Sequence, residues 1–152
     1  MTCERPRILL VEDDAVIGLL LAEMLIGLGY DVCGTAATEA DSVAAAARHR
    51  PDLMVVDAQL ANGSGVSAIR TILRTTAMRH FFITGAASPS MPANILVLRK
   101  PFGENELVRA LKLTFEAPQE VMASHQGDSP AGSGPNPAEA MAPARRNIVI
   151  RK

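Results

Sequence analysis

The chain has 152 residues, 48% of them hydrophobic and only 3% aromatic, with a formal net charge of −1. That is enough apolar material for one domain with a proper core, and a charge so close to zero favours neither nucleic acid nor a membrane surface as partner. Two cysteines, Cys3 and Cys33, exclude a disulfide framework and share no metal-ligand spacing with His49, His80 or His125.

The first residues, MTCERPR, run straight into an apolar stretch, and no apolar run approaches the roughly 18 residues of a membrane span. A cytoplasmic protein with free thiols is the expectation. Apolar runs of strand length then alternate with segments of helical periodicity. Strands are expected at Arg7 to Glu12, Asp31 to Thr35, Leu53 to Asp57, Phe81 to Thr84 and Ile95 to Leu98. ILLV and LMVV are almost continuously aliphatic, which suits parallel strands covered on both faces. The first helix is expected from Ala15 to Leu28, with Asp14 as N-cap and Gly29 as its stop. A second, Glu39 to Arg48, follows Thr38 and ends before Arg50-Pro51. A third, Val66 to Arg74, follows the turn NGSG, and the last covers Glu104 to Phe115.

Such repeated βα units imply a parallel α/β sheet with right-handed crossovers and helices on both faces. One unit is short. Only GAASPSMPAN, residues 85 to 94, joins the fourth and fifth strands, so at most a single helical turn fits there. Beyond Phe115 the composition changes: from Ala117 to Ala144, 18 of 28 residues are Ala, Pro, Gly or Ser. Such a segment builds no core. The chain then ends RRNIVIRK, whose alternation suits either an added edge strand or a frayed end, the second being preferred because termini commonly fray.

Ligands of parallel sheets bind at the carboxyl ends of the strands. Those ends carry Glu12 and Asp13 after the first strand, Asp57 on the third, Thr84 on the fourth and Lys100 after the fifth. Three adjacent carboxylates, Glu12, Asp13 and Asp14, repel one another, and burying even one without a partner is costly. A cation resolves the conflict. Oxygen donors without His or Cys suit a hard divalent ion such as Mg²⁺ or Mn²⁺, with Lys100 as a second positive charge. Taken singly, each acid reads as an N-cap or a loop residue and Lys100 as a surface lysine; the joint placement in successive βα units is what is specific.

The blocks VEDD (11 to 14), VVDAQL (55 to 60), ITG (83 to 85) and KPF (100 to 102) resemble, in order and spacing, the signature of the response-regulator receiver domain of two-component signalling. The resemblance covers about residues 5 to 116. It implies a flavodoxin-like (βα)5 doubly wound fold with a five-stranded parallel sheet in the order 2-1-3-4-5 and a shortened fourth helix. The receiver would occupy residues 1 to 116, and residues 117 to 152 would form a flexible linker and basic tail. It further implies that Asp57 accepts a phosphoryl group, that Glu12, Asp13, Asp57 and the backbone carbonyl of Gln59 hold Mg²⁺, and that Thr84 and Lys100 contact the phosphoryl group. The implied partner is a sensor histidine kinase or histidine phosphotransfer protein, and the implied role is a signalling switch or phosphoryl shuttle that catalyses only its own phosphorylation and dephosphorylation. Asp14 then remains the helix cap, Gln59 and Ala86 tune the phosphoryl lifetime, and Lys100-Pro101 is expected to be cis.

The chain departs from the pattern at Val97, where many receivers have an aromatic switch residue, and at Ala61, where a proline is common. FFITGAA resembles in part the Phe-Ala-Thr-Gly-type fourth strand of stand-alone alphaproteobacterial receivers, with Ile83 replacing Ala. The expected switch is therefore the 85 to 94 loop itself. No DNA-binding output domain is expected in the tail. The rival readings are a phosphorylation-independent adaptor and a Mg²⁺-dependent phosphohydrolase; the latter typically wants a second acid where Gln59 stands.

Overall fold

A strand such as Leu53–Asp57, whose five residues are all buried, has no face to give to water and must lie inside the sheet with helices on both sides. The computed structural model describes residues 3–85, 91–92, 94–118 and 149–150. In chain order the elements are β1 (Arg7–Val11), α1 (Ala15–Gly27), β2 (Asp31–Ala36), α2 (Glu39–His49), β3 (Leu53–Asp57), α3 (Gly65–Leu73), β4 (Arg79–Thr84), β5 (Val97–Arg99), α4 (Glu104–Glu116) and β6 (Val149–Ile150). All strand pairs are parallel, and the sheet order is β2-β1-β3-β4-β5-β6. Its first five strands form the doubly wound 2-1-3-4-5 sheet that the sequence implied.

Alternation along each strand divides the core in two. Ile8, Leu10, Leu53, Val55, Phe81 and Ile83 face α1 and α4, where Leu21, Leu25, Leu107 and Leu111 complete the cluster. Leu9, Val11, Met54, Val56 and Phe82 face α2 and α3, meeting Ala45, Ala46, Ile69 and Ile72. With two strand faces and four helices sharing the burial, almost no aromatic mass is needed.

The helix ends follow the local chemistry. The Asp14 carboxylate accepts hydrogen bonds from the Val16 and Ile17 amides at 2.9 and 3.0 Å, and α1 gives way to Gly29 at φ 97°, a left-handed conformation that costs glycine little. The Thr38 hydroxyl accepts from the Asp41 amide at 3.1 Å to cap α2, which stops before Pro51 with Arg50 left-handed at φ 46°. The Lys100-Pro101 peptide bond is cis, as expected.

Two expectations change, and a third lies mostly outside the described residues. β5 starts at Val97, not Ile95, because the chain is still turning at Asn94 (φ 69°) and the Phe82 amide is satisfied by the Leu96 carbonyl at 3.1 Å. Most of the 85 to 94 connection, including Ala86, lies outside the described residues, and among the described residues no helix separates β4 from β5. Val149 and Ile150 are not a frayed end: they pair with Val97 and Leu98, and Ile150 is buried with the α1 and α4 cluster, a gain of apolar burial that fraying forgoes.

Candidate functional site

The parallel register brings the carboxyl ends of β1, β3, β4 and β5 to one edge. Asp57 closes β3, Thr84 closes β4, Glu12 and Asp13 follow β1, and Lys100 follows β5, its amide donating to the Thr84 carbonyl at 2.9 Å. Glu12, Asp57 and Thr84 are buried, whereas Asp13 is exposed. Lys100 spans the pocket. Its Nζ donates to Asp57 Oδ2 at 3.0 Å and to Glu12 Oε2 at 3.2 Å.

Three of the remaining carboxylate oxygens are held by backbone. Asp57 Oδ1 accepts from the Gln59 amide at 3.0 Å, Asp13 Oδ2 from the Ala61 amide at 2.7 Å, and Glu12 Oε1 from the Asp14 amide at 3.2 Å. One oxygen each of Glu12, Asp13 and Asp57 lies within 4.8 Å of the others. Three hard oxygen donors so close, with one lysine between two of them, fit a divalent cation by their own chemistry. Asp14 stays outside this cluster as the cap of α1. Gln59 sits next to the site through its amide, and its backbone also bridges to Ser64.

The charges shift one another in identifiable directions. Burial pushes the Glu12 carboxyl above its ordinary 4.5; the Asp14 amide pulls it back, the Asp57 charge raises it further, and Lys100 opposes both. For Lys100, burial works against the charged form, but its hydrogen bonds and charge interactions with Asp57 and Glu12 outweigh burial and hold it above 10.5. Lys100 is therefore a permanent cation in this pocket. A cation fixed between two acids holds their oxygens a few ångströms apart.

Local packing fixes the nucleophile candidate. A side chain at Gly65 would run into the Asp57 carbonyl oxygen, so only glycine lets the start of α3 come this close to the end of β3. Glu39 then ties the following loop to α2: its carboxylate accepts from the Ser64 amide at 2.9 Å and the Ser67 hydroxyl at 2.6 Å. These bonds hold the Glu39 carboxyl below the usual range.

Sequence reading missed one feature beside the site. Helix α1, AVIGLLLAEMLIG, is apolar around its whole circumference and leaves Val16, Leu19, Leu20 and Ile26 exposed, Leu19 at 62%. The signal was present as a helical segment with the single charge Glu23, where a surface helix normally carries a polar face. Its first turns adjoin the acids: a Cβ added at Gly18 would lie 3.7 Å from the Glu12 side chain.

Residues 8–112 match the response regulator receiver domain. The chain belongs to the response-regulator receiver family. Among curated relatives, the receiver is 31% identical over 125 residues to the transcriptional regulatory protein PdtaR of Mycobacterium tuberculosis, an alignment covering 77% of this chain and 60% of the relative. It is 36% identical over 106 residues to the phyllosphere-induced regulator PhyR of Methylorubrum extorquens, covering 58% of this chain and 40% of the relative. The chain thus spans three fifths or less of these two regulators. Among solved structures it superimposes on the receiver domain of Erythrobacter litoralis PhyR with TM-score 0.64 and 27% identity, covering 78% of this chain and 98% of that one. On Brucella abortus PhyR the TM-score is 0.66 at 28% identity, covering 82% of this chain and 54% of that one. Receivers are signalling modules of two-component systems, and the acidic cluster of this one is compatible with the Mg²⁺ that such pockets bind. No helix among the described residues is long and apolar enough to cross a membrane.

Proposed function

We propose that this receiver takes a phosphoryl group onto Asp57 from the phosphohistidine of a sensor kinase or phosphotransfer protein, and passes the signal on by protein contact or by onward phosphoryl transfer. The observation that carries the reading is the Lys100 bridge: a buried carboxylate at the end of β3, bonded to a lysine at 3.0 Å and flanked by two further acids. Structural stability alone gives little reason to gather three carboxylates where two are buried.

In the proposed reaction an Asp57 carboxylate oxygen forms a bond to phosphorus as the phosphorus–nitrogen bond to histidine breaks, and the imidazole leaves with the electron pair. The Gln59 amide holds Oδ1, which leaves the Lys100-facing oxygen as the second polar handle on the same carboxylate. Lys100 offsets negative charge on the phosphoryl oxygens, a contribution of positioning and electrostatics with no proton transferred. The Thr84 hydroxyl, at the end of the neighbouring strand, donates a hydrogen bond to the phosphoryl oxygen, and this bond exists in the loaded state only. Glu12, Asp13, Asp57 and the Gln59 carbonyl are the ligands assigned to Mg²⁺, which when bound supplies further charge neutralisation. The exposed aliphatic strip of α1 starts beside these acids and suits the histidine-bearing partner, because a protein delivering phosphoryl to Asp57 must rest on the surface around the pocket.

Intact-mass spectrometry after incubation with acetyl phosphate and Mg²⁺, run beside Asp57→Ala, tests the reading. Wild type should gain one phosphoryl group and the variant none. If neither gains one, and beryllofluoride and a histidine kinase also fail to engage the site, the phosphorylation-independent adaptor replaces this reading.

A further inference from the structure

β6 seals the outer edge of β5, and β5 is only three residues long, ending at Arg99 directly before Lys100. Each strand partner therefore bears on where Lys100 sits. On one side β4 pairs with Val97, Leu98 and Arg99; on the other β6 pairs with Val97 and Leu98, and Ile150 is buried in the same cluster as Leu98, Leu107 and Leu111. We infer that the C-terminal strand is a releasable clamp on β5, that Ile150 is a positioning residue acting through β5 on Lys100, and that docking of this strand is linked to the state of Asp57. The linkage rests on the phosphoacceptor reading given above.

Releasability follows from size and tether. The paired stretch has two residues, of which Ile150 is buried in the core, little against the entropy of ordering a strand. Helix α4 ends at the amino edge of the sheet, where Phe115 stacks on Tyr30 at 5.9 Å just before β2 begins, and β6 also starts there, opposite Val97. A helix-to-strand connection across such a gap commonly takes about two to six residues. This chain spends 32, residues 117–148. Closing a connection of that length costs loop entropy that a two-residue pairing has to offset, so the strand is held at its edge only lightly.

Linkage follows from the Lys100 contacts. The ammonium that bonds Asp57 and Glu12 must turn to the phosphoryl oxygens when Asp57 is loaded, so the loaded and empty states ask for different settings of the residue after β5. A strand that holds β5 in one setting responds to which state is present, and the response is reciprocal.

Ile150→Asp and Ile150→Val in the 152-residue chain test the inference by two readouts, amide hydrogen exchange and the rate of Asp57 loading by acetyl phosphate with Mg²⁺. In Ile150→Asp, exchange at residues 97 to 100 should rise about tenfold while β1 and β3 stay protected, and loading should slow by about three- to tenfold through loss of preorganisation. Ile150→Val should restore both, and a free RRNIVIRK peptide at millimolar concentration should partly rescue Ile150→Asp. In wild type, beryllofluoride should change exchange at Val149 and Ile150. Unchanged β5 exchange in Ile150→Asp overturns the clamp, and unchanged loading together with beryllofluoride-insensitive exchange overturns the linkage. Should wild type itself take up no phosphoryl group, the phosphoacceptor reading fails along with the linkage, while β5 exchange still decides the clamp.

Discussion

The two ends of the sheet both carry ion pairs, and they put them to different uses. At the amino end Arg7 Nε lies 3.8 Å from Asp31, with both side chains about half exposed. At the carboxyl end Lys100 lies 3.0 Å from Asp57, whose side chain is only 9% exposed. Water screens the first pair, so it is worth little to the fold, and Arg7 is held as much by its 2.6 Å bond to the His49 carbonyl. The second pair is shielded, so removing one partner leaves the others facing like charge. Charge at the amino end finishes a surface; charge at the carboxyl end gathers three acids around one lysine.

Substitutions at each end sharpen that contrast. The largest effect belongs to Lys100→Met, which removes the cation between two buried acids: loading of Asp57 by acetyl phosphate should fall by about 100- to 1000-fold, measured by phosphoprotein mass against time. Gly65→Ala comes next. Its Cβ collides with the Asp57 carbonyl, so denaturant unfolding should show a loss of about 1–3 kcal/mol, with loading slowed as the carboxylate is displaced.

His80, buried in β4 with Nδ1 2.9 Å from the Met78 carbonyl, gives a pH signature. Burial lowers its pKa below 6.5, against the opposing effect of the Met78 carbonyl. The unfolded chain therefore binds the proton more readily, so the stability of the neutral-histidine fold is fully present above about pH 6.5 and declines as pH falls from there towards the folded-state value. His80→Leu should flatten this part of the stability profile in urea melts between pH 7.5 and 5, as chosen test conditions. A slope unchanged by the substitution sends the search to other groups. The smallest effect is expected for Asp31→Asn at the amino end, about 0–1 kcal/mol by thermal melting and with no change in loading. A larger loss there would erase the distinction between the two ends.

Much of this was legible in the chain. ILLV and LMVV announced buried parallel strands because only residues covered on both faces dispense with polarity altogether, and Asp14 marked its helix start by cap chemistry. The site residues were legible through their shared place at strand ends, a consequence of topology; Glu12, Asp57 and Lys100 indeed meet, Asp13 joins the acids from an exposed position, and Thr84 sits at the end of the neighbouring strand. Gly65 was read as turn chemistry alone, since its steric role depends on where the Asp57 carbonyl comes to lie. The pairing of Ile150 with Leu98 escaped because an edge strand so short is decided by a distant partner, and Val149 and Ile150 carry no local signal that separates docking from fraying. Helix α1 escaped for the opposite reason: its apolar run reads as core, and only the fold shows that, among the described residues, nothing covers one side of it.

That exposed strip on α1 also governs how the protein behaves as a solute. With a net charge of −1, the molecules have almost no electrostatic repulsion to keep them apart, while Val16, Leu19, Leu20 and Ile26 offer each one a greasy surface. Concentrated solutions should scatter light as if the particles attract, and more so in ammonium sulfate, which strengthens apolar contact. Leu20→Lys would raise colloidal solubility at little expense to the core, since the side chain it replaces is already 55% exposed.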